Sequence, residues 1–229
     1  MLPVSFLFNV ARPLWAVLLI VGLSACASMV TPQIQRLPDR VELNAVPFFR
    51  GNAYQSAPGT LAGMLSSHQV AITPGLLDKP LQLPGGEDRL ERSMPSVARE
   101  YGFMVYPLDG TLDALLTQVA AGYPVMLRLS EGSAWWKGPR YGVLVGYNRT
   151  KQTVVLQMGM SRRQMMSFGS FASAWKDAGS WAVLVQGPRQ LPANVDQQRW
   201  LKAADELSRA GQEQASGEAV KTLSRQGVK

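Results

Sequence analysis

Residues 124–158, PVMLRLSEGSAWWKGPRYGVLVGYNRTKQTVVLQM, contain three short apolar runs, PVMLRL, YGVLVGY and TVVLQM, set apart by residues that favour turns. Runs of this length, rich in β-branched and aromatic residues and bounded by turn formers, read as strands. A fourth, WAVLVQ, follows at 181–186. One helix interrupts the series near Phe168–Asp177, where Phe171 and Trp175 stand one turn apart.

Upstream of this stretch the period is helical. Pro58 opens a predicted helix through TLAGMLSSHQ, with Leu61, Met64 and Leu65 at helical spacing. Ser93 caps a helix that runs to Tyr101 and ends at Gly102. Thr111 caps another, whose stripe is Leu112, Leu115, Leu116 and Val119, and Gly122 closes it. Between the first and second of these helices, 73–89 is mostly loop, with prolines at 74, 80 and 84. VPFF at 46–49 reads as a short strand or extended segment. Helices first and strands second in one domain give an α+β architecture.

The N-terminal end reads as an export signal. Arg12 precedes the apolar run LWAVLLIVGLSA, about 12 residues, which suits a signal-peptide core and is short of the roughly 20 needed to cross a bilayer. The run ends at Leu23-Ser24-Ala25-Cys26, which resembles a bacterial lipobox, so residues 1–25 are expected to be removed and Cys26 acylated. Cys26 is the only cysteine, which excludes an internal disulfide. Ala27 and Ser28 follow it where aspartate would signal inner-membrane retention, so the expected address is the outer membrane, facing the periplasm. Residues 26–45, polar and proline-containing, read as a lipidated tether.

Hydrophobic residues make up 46% of the chain and charged ones 17%, which excludes a mainly disordered protein. The formal charge of +7 falls by one with the leader. From Gly132 to Lys176 seven basic residues occur without an acid: Lys137, Arg140, Arg149, Lys151, Arg162, Arg163 and Lys176. Such a stretch favours an anionic partner. Export makes nucleic acid the wrong anion and points to an envelope protein or peptide. No cofactor motif or metal-ligand spacing occurs. From Pro192 the chain turns helical again. QQRWLKAADELSRAG and SGEAVKTLSRQ resemble the two helices of one tetratricopeptide repeat, with Trp200, Leu207, Gly211 and Val220 near its filled positions. A plain amphipathic pair reads equally well. Residues 191–229 thus form a helical tail.

Taken in order and spacing, VPFF followed by YQSAPGTLA, then GTLDALLTQVAAGYPVMLRL, RYGVLVGY and SFASAWKDAGSWAVLV resemble the papain-like cysteine peptidases that process bacteriocins at double-glycine sites. The likeness runs from about Val46 to Gln186 within a domain of 46–190. It is nearest to exported lipoprotein members with trailing tetratricopeptide repeats. It implies a papain-like core of N-terminal helices and a C-terminal antiparallel sheet, followed by a short helical hairpin. It also aligns Ser56 with the family's cysteine, Arg140 with its histidine and Met158 with its acid. Gly51 or Arg50 takes the place of the oxyanion glutamine.

A thiolate at a helix start is activated by the helix dipole and a neighbouring imidazole. A serine there needs a base. The only histidine, His68, lies twelve residues on, roughly 18 Å along a helix. Arg140 cannot accept a proton, and Lys137 has no supporting motif. The resemblance therefore implies a pseudopeptidase that binds or scaffolds a peptide or protein. The alternative is a hydrolase using Ser56 with an unidentified base. Arg140, with Trp135 and Trp136 in the preceding loop, is the candidate cleft-binding set; core packing accounts for the tryptophans equally well.

Overall fold

The structure, a computed structural model, describes residues 30–132 and 137–227, with only the backbone of Lys137. In chain order the elements are α1 (Pro32–Gln35), β1 (Arg40–Glu42), α2 (Ser56–Ser67), α3 (Pro74–Leu77), a 3-10 turn (Glu87–Arg89) and α4 (Leu90–Glu100). Next come β2 (Met104–Pro107), α5 (Leu112–Ala120), β3 (Val125–Gly132), β4 (Lys137–Asn148), β5 (Thr153–Met158) and β6 (Ser161–Ser167). The chain ends with α6 (Phe168–Asp177), β7 (Ala182–Gln186), α7 (Gln197–Arg209) and α8 (Glu213–Gln226).

One antiparallel sheet runs in the order β2-β7-β3-β4-β5-β6. β4 organises it. Its first half pairs with β3, from Gly132 opposite Lys137 to Val125 opposite Leu144. Beyond a register shift between Leu144 and Gly146 that edge passes to β1, with Glu42 opposite Gly146 and Arg40 opposite Asn148. The sheet is buried on both faces. On one, Met126, Tyr141, Val143, Val155 and Val183 pack with Leu61, Met64 and Leu65 of α2 and Met94 and Val97 of α4. On the other, Leu127, Leu129, Leu144, Tyr147, Leu156 and Leu184 pack with Leu115 and Leu116 of α5, Phe171 and Trp175 of α6, and Trp200 of α7. The α+β antiparallel architecture is as expected, with helices on both sides of the sheet.

Local rules account for several ends. Thr111 accepts a hydrogen bond from the Ala114 N–H, and Ser167 accepts one from the Ser170 N–H, capping α5 and α6. Gly122 takes φ +90° at the close of α5. α2 starts at Ser56, two residues before Pro58, which falls in its first turn, where a missing N–H does little harm. α4 begins at Leu90 rather than at Ser93. The Ser93 hydroxyl donates back to the Arg89 carbonyl instead of capping, and Pro95 lies inside the helix.

Two stretches depart from the expectations, and one open reading, that of VPFF, is decided. Residues 30–44 are not a free tether. Ile34 is fully buried, Thr31 Oγ1 donates to Asp113 at 2.8 Å, and β1 joins the sheet. A boundary at residue 46 therefore cuts through the fold. VPFF is extended without joining the sheet; it lies along α2, where a Cβ on Gly63 would come within 2.8 Å of the Pro47 carbonyl oxygen. Finally, three of the seven basic residues of the acid-free stretch are paired with acids from outside it. These pairs are Arg140 with Glu131, Arg149 with Asp39, and Arg163 with Glu42. The stretch is far less charged in the fold than in the sequence.

The C-terminal hairpin leans on the body. Trp200 is fully buried, its Nε1–H donates to the Ala219 carbonyl of α8, and its ring packs 6.3 Å from that of Tyr106 on β2. Arg99 of α4 pairs with Glu206 of α7. Trp200→Ala should lower stability by about 3–5 kcal/mol in urea unfolding. Because the ring belongs to the body's core, the loss should appear as one earlier transition rather than as separate melting of the tail. A second handle is Glu42, whose carboxylate is held at about 2, against an ordinary 4.5, by hydrogen bonds from Arg163 and then Arg40. A depressed folded pKa contributes stability above the ordinary value, and this is lost as the pH falls from about 4.5 towards about 2. Glu42→Gln should flatten the acid limb of a stability–pH curve in that window.

Candidate functional site

Ser56 is placed by a tight turn. The Gln55 N–H donates to Asn52 Oδ1 at 3.2 Å, and the Asn52 N–H donates to Gln55 Oε1 at 3.3 Å. This reciprocal pair resembles a capping box and starts the helical winding ahead of α2. Ser56 follows at the first position of α2, 6% exposed. Its hydroxyl donates to the Ala53 carbonyl at 2.8 Å and accepts from the Tyr141 N–H at 3.4 Å. The helix start therefore meets β4 just beyond the end of β5, the junction at which a papain-like site would be assembled.

The residue that β4 turns towards α2 is Tyr141. Arg140, expected there, lies on the opposite face of the sheet. It pairs in register with Leu129, which packs beneath α5 and α6, and its Nε sits 2.9 Å from Glu131. Successive strand residues alternate faces, so an offset of one residue in the alignment sends the side chain through the sheet. Tyr141 packs edge-on against Trp181 at 5.8 Å. Burial pushes its phenol up to about 12, with the Arg128 guanidinium acting in the other direction. Arg128 is itself held by the Ala178 carbonyl and the Glu91 carboxylate. A neutral, buried phenol of this kind is no base for Ser56.

The structure also places the other residues that the resemblance singles out. Met158, expected at the acid's place, is buried at the end of β5 opposite Gly142. Its neighbour Gln157 lines the cavity and donates from Nε2 to the Val46 carbonyl at 3.1 Å. The Gly51 N–H is committed to the Gly159 carbonyl at 3.2 Å, and a Cβ on Gly51 would come within 2.7 Å of Gln55 Cβ. Arg50 is exposed. His68 stands at the far end of α2, its Nε2 2.9 Å from the Val185 carbonyl. Trp135, Trp136 and Cys26 lie outside the described residues. The space left beside Ser56 is about 10 Å³, the size of one water. Phe48, Phe49, Gln55, Gln157 and Met158 are among the residues around it, and none of the described residues that line it is ionisable.

Tyr141 and Gln157 are the site residues that sequence reasoning missed. The alternation Tyr141, Val143, Val145 carries the signal for the first, since it separates the α2 face from that of Arg140 and Leu144.

No family model matches the chain, and no characterised protein matches it in sequence. Solved structures do match in shape. A C39-like peptidase from Bacillus anthracis superposes with a TM-score of 0.51 at 14% identity, over 65% of this chain and 98% of that one. The peptidase domain of Streptococcus ComA, a bifunctional ABC transporter of a quorum-sensing pathway, gives 0.50 at 16% identity, over 62% of this chain and 99% of that one. The fold that brings the start of α2 against β4 is thus that of the C39 cysteine peptidases.

Proposed function

We propose that the chain is a lipid-anchored envelope protein whose C39-like domain binds a peptide or protein partner and does not cleave it. The observation that carries this reading is the state of the Ser56 hydroxyl. It is bonded on both sides, in a space of about one water, with no ionisable side chain among the described residues that line it. Nucleophilic catalysis needs an accessible nucleophile with a base in hydrogen-bond reach. Among the described residues nothing supplies that base, which supports the binding reading. The lipobox at Cys26 supports the anchor, and the residues after it support an outer-membrane address.

Arg140 is paired with Glu131, so the reading does not rest on its charge. Shape and hydrogen bonding are the better candidates for recognition.

A fluorophosphonate probe should leave the wild-type protein unlabelled, and a peptide library should remain intact in its presence. Ser56→Cys should also be inactive, because a thiol in this setting gains no imidazole. Labelling at Ser56, or cleavage lost in Ser56→Ala, would establish the hydrolase instead. For the anchor, wild-type protein should incorporate radioactive palmitate and sediment with outer membranes. Cys26→Ala should do neither, and unchanged labelling of that variant would remove the lipoprotein reading.

A further inference from the structure

A cavity of about 300 Å³ lies between α1, α5, the end of β2 and the approach to α7, at the lower end of the range of about 300–1,000 Å³ usual for ligand pockets. It shares no lining residue with the space beside Ser56.

Part of its wall is fixed by bonds within the fold. The Gln118 carboxamide donates to the Ala193 carbonyl and accepts from the Ala193 N–H, which pins the loop before α7 to α5. Arg199 lies over the Tyr106 ring, 5.5 Å from its centre, and donates to Asp109 at 2.7 Å and to the Pro107 carbonyl at 3.3 Å. This part of the site is in place without a ligand.

Other groups on the wall keep bonding capacity in reserve, and they belong to side chains that solvent reaches. Asn194 is exposed, and its carboxamide has no partner among the described residues. Asp113, half-buried, accepts from Thr31 Oγ1 on one oxygen only. Gln33 is exposed; it donates from Nε2 to Thr117 Oγ1 at 3.3 Å and keeps its carbonyl oxygen open. Asp109 likewise has one oxygen to spare. Because Arg199 offsets Asp109, Asp113 leaves the wall with one carboxylate in excess and no spare cation. An anionic ligand is therefore disfavoured.

The unspent groups are mostly acceptors, and they stand on α1, on α5, in the turn after β2 and in the loop before α7. Such a spread suits a ligand with several donors around its edge, whereas a single ammonium would satisfy one of them. Leu108, Ala114 and Ala193 place apolar patches between the polar groups, a lining that suits the C–H faces of a sugar ring. We propose that this cavity binds a neutral carbohydrate, whose hydroxyls donate to Asp113, Gln33 and Asn194. The site is separate from Ser56, and the proposal does not rest on the peptide-binding reading.

The full-length protein, in micelles of a sugar-free detergent, should bind saturably to neutral glycans on an array that also carries amino-bearing and acidic ones. Asp113→Asn should weaken that binding at least about tenfold, because it removes a charged acceptor and still leaves an oxygen for Thr31. Asn194→Gly should weaken it about three- to tenfold. Glycine suits the backbone there, whose φ is +53°. Binding to no glycan on the array, binding to amino-bearing or acidic glycans alone, or a half-saturation point unmoved by both variants would each overturn the proposal. Should a variant fail to fold, Ala114→Phe takes its place. Filling the cavity from α5 should abolish the binding, and unchanged binding overturns the site.

Discussion

The double burial of β4 is the constraint on which the rest depends. A strand with apolar side chains on both faces needs a helical layer on each side, and it needs partners along its whole length. β3 covers only part of one edge, so β1 must supply the remainder. That handover is possible because residue 146 is glycine. A Cβ there would come within 2.6 Å of the Val41 carbonyl oxygen, closer than such atoms approach. The bulge beside it reverses which side chains face which layer, so that Val145 packs towards α2 while Tyr147 packs towards α5. The position of the N-terminal segment and the register of β4 beyond residue 144 follow from this one irregularity.

Under the binding reading, the domain keeps what the peptidase fold is good at and drops what chemistry requires. A helix that starts against a strand still defines a precise junction. In this chain the junction is filled by Phe48, Phe49 and Met158 and stitched by the Ser56 hydroxyl to Ala53 and Tyr141. A hydroxyl that bridges a turn and a strand makes good structural use of the position. The segment 46–49 closes the space because Gly59 and Gly63 let its backbone lie directly on α2.

Features governed by neighbours in sequence were legible. Thr111 and Gly122 bracket α5 by local hydrogen bonding and a positive φ, and the strand runs declare themselves by β-branched content. What escaped depends on distant partners. β6 is SRRQMMS, an edge strand without an apolar face, and only β5 makes it a strand. Ile34, Val41 and their polar neighbours look like linker until α5 and β4 are placed beneath them. The exchange of Arg140 for Tyr141 has another origin. Alignment with the family places Arg140 there and says nothing of faces, whereas the alternation Tyr141, Val143, Val145 sets Arg140 on the other side of the sheet. The acid-free stretch likewise hid its partners, since Asp39 and Glu42 arrive from 110 and 121 residues earlier in the chain than the arginines they pair with.

Under the proposed anchoring at Cys26, the docking of residues 30–44 on the body would set how far the domain can stand from the membrane. With Cys26 acylated as proposed, only residues 27–29 separate the lipid from Val30, whose side chain is already half-buried. Four residue steps span at most about 14 Å even when fully stretched, and the lipid headgroups occupy roughly the first 5–8 Å of that. The leash is therefore shorter than the domain is wide. On that proposal the protein would not search the space around it; it would be a fixture of the membrane surface, and anything it holds would have to be brought to the bilayer.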